Sequence, residues 1–312
     1  MKLFIKKLGI FFSLLAIFFV IGLLLPVTPR TSASLLFGQG KKDSLLRETS
    51  SPRIIFIGGS NLSFGLNSQL IYDSLHINPI NTAIHANLGL IYMMNHALPF
   101  IKKNDIVIIS PEYHQFYGDI AYGSEELLRT LAEISPREIS MLKRQQLINI
   151  AAELPKYSFS KFEPTEYFVK PDLTGLYAVN SFNKFGDAYI HWNKPQEKGK
   201  PDQSITQAFN ADIIAQMKNF EQALKSKEAI LYITFPCYGA TSFNNNKQQI
   251  AQVFTEVKNN HFNVLGDPEQ FKMPGSLIFN TNYHLTKEGV DLRTNLLISD
   301  LKNVPAINNF TK

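Results

Sequence analysis

The stretch RIIFIGGSNLSFG, residues 53–65, decides the fold. A short β-branched run closed by glycines reads as a buried strand, and the glycines as a tight turn into a helix. Working outward, Asp105-IVIIS is a second buried strand, entered through the turn-like KKND. Ala229-ILYITFP is a third, and Phe262-NVLG a fourth, shorter one. Between them lie stretches of helical pattern: Asn67–Leu75, then 88–101, 124–134, 136–154, 208–226 and 246–260. A last helix runs from Thr286, its N-cap, to Leu301, and Ser135-Pro136 opens the 136–154 segment. Strand alternating with helix predicts an α/β fold, a mainly parallel sheet covered on both faces. Such sheets place their sites at the carboxyl ends of the strands. Residues 155–204, rich in aromatics and proline with weak periodicity, read as an irregular insertion.

Composition narrows the class. The chain has 312 residues, 45% hydrophobic and 12% aromatic, so a disordered chain is excluded. Its one cysteine, Cys237, excludes an intramolecular disulfide framework and a cysteine-cluster zinc site. No HExxH motif or aspartate-rich cluster accompanies the seven histidines, so neither a metal nor another cofactor is expected. The net charge of +5 comes mostly from Lys2, Lys6, Lys7 and Arg30; without these four, 27 basic groups face 26 acidic ones. That balance gives no support for nucleic-acid binding.

Lys7 and Arg30 bracket 22 uncharged residues, including LGIFFSLLAIFFVIGLLL. A helix of about 20 apolar residues spans a bilayer core. Signal-peptide cores usually run about 7–15 residues, so an uncleaved anchor over residues 1–30 is favoured over a segment cleaved near Thr31-Ser32-Ala33. The leading lysines predict a cytoplasmic N-terminus and a globular part on the far side of the cytoplasmic membrane. Residues 31–50 read as a tether, whose apolar patch Leu35–Phe37 either docks on the domain or lies at the bilayer. The domain proper is then 51–312, with its insertion at about 155–204.

Three segments at strand ends carry candidate chemistry. In Gly58-Gly59-Ser60-Asn61, a serine in a tight strand-to-helix turn can present its hydroxyl above the sheet while its N–H serves as an oxyanion donor. A plain turn with a capping serine is the bland alternative; a Walker phosphate loop is excluded, because no Gly-Lys-Ser/Thr is present. In Asn280-Thr281-Asn282-Tyr283-His284, a histidine before a helix comes after polar side chains able to orient it, as a general base requires. In Ser110-Pro111-Glu112-Tyr113-His114, a carboxylate stands at a strand end; Asn87 and Gly89 complete the expected rim.

Together these pieces resemble the SGNH (GDSL-like) hydrolases, over about residues 53–120 and 229–301. The resemblance implies a flavodoxin-like three-layer α/β/α fold, with Ser60 as nucleophile and His284 as base. It places Gly89 as an oxyanion donor. Three departures stand out. Gly59 replaces the family's Asp in Gly-Asp-Ser, Pro111-Glu112-Tyr113 replaces the Gly-x-Asn-Asp block, and no Asp sits three residues before His284. Asn280 or Asn282 would then orient the base, Glu112 would supply an acid, and Asn87 or Tyr113 would replace the missing oxyanion asparagine. The anchor is similar to that of the membrane-tethered branch, which accompanies membrane-bound O-acyltransferases in envelope-polymer modification. The implied function is O-acyl ester hydrolysis or transfer on an envelope glycan or related polymer. A catalytically impaired binding protein that partners such an acyltransferase is the alternative. The insertion's aromatics, Tyr157 to Trp192, either stack on sugars or pack the insertion onto the domain.

Overall fold

A computed structural model describes residues 1–197 and 199–310, the side chains of 308–310 excepted. Five strands form a parallel sheet in the order β2-β1-β3-β4-β6: β1 is Arg53–Gly58, β2 Asn78–Asn81, β3 Ile106–Ser110, β4 Ile230–Thr234 and β6 Val264–Leu265. The remaining two, β5 (Tyr238–Gly239) and β7 (Lys272–Met273), pair with each other. Alternate residues of the central strands face opposite ways, as the period of two requires. Ile55, Ile57, Val107 and Ile109 meet helices Leu90–Ala97 and Ala211–Ser226, whereas Ile54, Phe56, Ile106 and Ile108 meet Ser68–Leu75 and Lys287–Lys302. Both faces are therefore covered, which is why β1 and β3 are buried along their whole length.

The four expected strands are present, and β2 is an addition. Its sequence, NPIN, hides it: proline lacks the N–H for a central ladder and is tolerated at an edge, where β2 lies. The expected helix at 136–154 is displaced. Residues Pro136–Met141 form a 3-10 turn and the helix runs Arg144–Ser160, through Pro155. Tertiary packing overrides the proline there, because Ser158 lies directly against Gly22 of the N-terminal helix.

That N-terminal helix, Lys2–Leu24, is long and apolar enough to cross a membrane, with a mean hydropathy of 2.9 over its apolar stretch. The segment expected as a tether is instead folded onto the domain. Ser34 bridges Ala178, Gln39–Glu48 is helical, and Leu35, Leu36 and Leu46 are buried. Lys42 is buried too, its Nζ donating to the carbonyls of Asn81 (3.0 Å), Ala83 (2.5 Å) and Gly186 (2.6 Å). Three acceptors match the three ammonium hydrogens, so a lysine can be buried here. The insertion also covers the sheet edge: Asn81 N donates to Phe185 O, and Asp187 accepts from Asn81, Ser68 and Asn183. Its aromatics are dispersed rather than gathered on one platform. Tyr157 and Phe182 are buried, Phe159 and Phe162 meet the N-terminal helix, and Phe168 is exposed.

Candidate functional site at the carboxyl end of the sheet

β1 ends at Gly58, and Ser60–Ser63 makes one helical turn. The paired glycines are sterically required. A Cβ on Gly58 would lie 2.8 Å from Ser110 O, and one on Gly59 would lie 2.8 Å from Ala86 Cα. The second contact explains why no larger residue stands before Ser60. As the first residue of the turn, Ser60 has an N–H without an intrahelical acceptor. Its half-buried hydroxyl donates to Glu112 Oε1 at 3.4 Å.

Glu112 sits over the start of this turn. The same Oε1 accepts the Asn61 N–H at 3.2 Å. Burial pushes its carboxyl up to about 6, while the Asn61 and Ser60 donors pull the other way. Asn61 lies beneath, fully buried, and does not line the cleft. Its Nδ2 donates to Ser110 O (3.0 Å), and its Oδ1 accepts from Ser110 Oγ (3.2 Å) and from Arg293 Nη2 (3.3 Å). Arg293 also donates through Nη1 to Asn61 O at 2.6 Å. A buried guanidinium from the helix Lys287–Lys302 thus holds the serine turn. No motif marks it in the sequence; it reads as one more polar residue in an amphipathic helix.

His284 lies beside this turn. Its ring stacks on Phe64 at 4.3 Å and 18°, and its Nδ1 meets Asn280 Oδ1 at 2.9 Å. Asn280 Nδ2 donates to Tyr177 OH at 2.8 Å. With the amide nitrogen so engaged, Oδ1 accepts from Nδ1–H, leaving Nε2 as the basic nitrogen. Asn280 is therefore the orienting partner. Asn282 is not: its Nδ2 donates to Lys200 O (2.9 Å) and Asp202 Oδ1 (2.8 Å). Burial lowers His284 to about 3, and the nearby His191 and His85 push the same way. Among the described residues no hydrogen bond joins Ser60 to His284; in this structure the serine faces Glu112.

Two rim expectations are corrected. Gly89 is buried, with φ +82°, where a Cβ would lie 2.4 Å from Gly123 N. Its N–H donates to Ala86 O at 2.9 Å, so it is not available to an oxyanion. Tyr113 packs in the core against Tyr238, fully buried, away from any rim. Glu112, expected as an acid for the histidine, is bonded to the serine turn instead. Asn87 does line a cleft of about 440 Å³, with Glu112, His114, Asp202, Asn280 and Tyr283. A larger cavity, about 570 Å³, has a lining that runs from Arg30 and Phe159 to His85 and Tyr177. Tyr177 and His191, both from the irregular insertion, wall the histidine, and no periodicity in that segment announces them.

Scans against protein-family models, curated proteins and solved structures return no match to this chain.

The buried imidazoles set an acid dependence of stability. Burial lowers His191 from 6.5 to about 4, and His284 moves the same way. As pH falls the unfolded chain takes up these protons first, so stability held above pH 6.5 is lost down to about pH 4. Urea titrations between pH 7 and pH 4 are expected to show a falling midpoint. His191→Phe should remove on the order of 3 kcal/mol of that fall, the free energy that holds the imidazole at about 4 rather than 6.5. An unchanged slope in the variant would refute the assignment.

Proposed function

We propose that this chain is a membrane-anchored O-acyl esterase or acyltransferase built on an SGNH-like three-layer plan, acting outside the cytoplasmic membrane on an envelope polymer. The observation that carries the reading is His284 Nδ1 on Asn280 Oδ1 at 2.9 Å, beside a serine turn at the carboxyl end of β1. In the reaction, Ser60 Oγ attacks the ester carbonyl and its proton passes to His284 Nε2. That proton then goes to the leaving alcohol as the acyl-serine forms; water or a polymer hydroxyl releases the acyl group. The Ser60 N–H is one oxyanion donor, and Asn87, lining the cleft, is the second. The cleft is lined by Asn87, Glu112, His114, Asp202 and Asn280, which suits a hydroxyl-rich acceptor better than an acyl chain. The side of the membrane is inferred from Lys2, Lys6 and Lys7 before the apolar helix. An envelope glycan and a membrane-bound O-acyltransferase are the partners this location suits.

One observation favours a second reading, a binding protein with weak or absent turnover. The Ser60 hydroxyl donates to Glu112, and burial leaves His284 a poor base. Turnover of a short-chain aryl ester by the full chain in detergent separates the two. A rate above background that Ser60→Ala removes, with circular dichroism unchanged, establishes the esterase. No turnover by the intact protein favours the binding role.

A further inference from the structure

We propose that residues 159–173 form a second membrane contact, seating the domain against phospholipid headgroups beside its anchor. This contact presupposes the anchor reading of Lys2–Leu24. At about 1.5 Å per residue that helix is long enough for a hydrocarbon core of about 30 Å. Its last two turns are occupied by the domain itself. Phe18 stacks on Phe162 at 4.2 Å and meets Phe159 at 5.0 Å, and Phe19 meets Phe159 at 5.7 Å.

Behind the rings the two backbones close up. A Cβ on Gly22 would lie 2.8 Å from Ser158, and Ser158 Oγ donates to Phe19 O at 3.2 Å. Small residues at such a crossing are what helix packing in lipid favours. Lys161 Nζ donates to Pro26 O at 3.1 Å, fixing the chain as it leaves the helix. Phe18 precedes Leu24 by six residues. It therefore lies about 9 Å inside the helix's far end. Phe159 and Phe162, held against it, lie at acyl-chain depth.

The same segment continues as exposed apolar side chains interleaved with the exposed charges Glu163, Lys170 and Asp172, a mixture that fits the headgroup layer rather than the hydrocarbon core. Phe168 is 87% exposed, Val169 54% and Leu173 48%, with Tyr167 alongside. Left in water, such a cluster is unfavourable; aromatic side chains at the headgroup level are not. Lipid is the occupant that the anchor's geometry brings to this surface. Phe159 and Glu166 line the 570 Å³ cavity, so seating 159–173 brings one wall of that cavity to the bilayer.

The test uses the full chain in phosphatidylcholine vesicles of two kinds, with bromine on the acyl chains near the headgroup to report on Phe168 and near the chain ends to report on Leu14, which lies at the middle of the helix. Phe168→Cys, Leu14→Cys and Lys302→Cys are each labelled with a polarity-sensitive fluorophore; Cys237 is fully buried and does not label. Expected are quenching and a blue shift at Phe168 and at Leu14, and neither at Lys302, which lies on the far face of the sheet. A Phe168 label as wet as that at Lys302, with Leu14 quenched, overturns the membrane contact and leaves the anchor standing. No quenching at Leu14 overturns the anchor and the contact with it.

Discussion

Asp105→Ala is expected to destabilise the domain by about 3–5 kcal/mol, because it leaves a buried guanidinium without its carboxylate. Arg53 and Asp105 are both fully buried, and their side chains are joined at 3.0–3.1 Å. Asp105 is further bonded to Ser51 Oγ (2.6 Å) and Lys102 N (2.8 Å). Arg53 continues the network to the carbonyls of Leu46, Thr49 and Phe100. One charge pair thus ties the starts of β1 and β3 to the helix Gln39–Glu48. Thermal unfolding monitored by circular dichroism should show the transition lowered by about 10 °C, given roughly 2–4 °C per kcal/mol in a domain of this size. Replacing both partners, Arg53→Met with Asp105→Leu, should recover much of the loss, since no charge is then left buried alone. A single-variant loss below about 1 kcal/mol would show the network to be dispensable.

That network also marks the limit of what the sequence made legible. Strands β1 and β3 are readable because both faces of each meet apolar partners, which leaves a near-continuous apolar run, and β4 by a similar run although Ile230 at its start is exposed. The helix Lys287–Lys302 was readable from Thr286, whose side chain accepts the Gly289 N–H at 3.3 Å. Local chemistry fixes such elements. The docking of residues 31–50 is not readable, since Lys42 within them and Arg53 just beyond look like solvated charges until the carbonyls that surround them are known. The serine and histidine segments stood out by local pattern. Their partners did not: Arg293 reaches the serine turn from 232 residues away, and Tyr177 reaches Asn280 from 103, through contacts that no spacing encodes. Choosing Asn280 over Asn282 required the loop's conformation, because two residues apart in an irregular segment imposes no common direction.

His284 carries the largest expected effect on turnover, and its partner the most informative one. If His284 is the base, His284→Ala should lower kcat/KM for an aryl ester by about 10⁴-fold or more, in line with other serine–histidine enzymes. Substituting Asn280 tests the mechanism of that dependence. Asn280 already selects the productive tautomer, so Asn280→Asp changes only the charge beside the ring. A carboxylate there raises the affinity of Nε2 for a proton from its low value of about 3 toward the working range of a base. It also stabilises the imidazolium formed as Ser60 attacks. A charge-assisted hydrogen bond contributes about 1.5–3 kcal/mol, and about 1.4 kcal/mol is tenfold in rate. Asn280→Asp should therefore raise kcat by about 10- to 100-fold, and its pH–rate profile should rise around a higher apparent pKa than that of the unaltered protein. Asn280→Ala should lower kcat while leaving KM nearly unchanged, because the partner acts on the base and not on bound substrate. If Asn280→Asp instead lowers kcat, with the fold intact, then His284 is not the proton acceptor. In that case the Glu112 carboxylate, which receives the Ser60 hydroxyl in the resting structure, would be the base to test next.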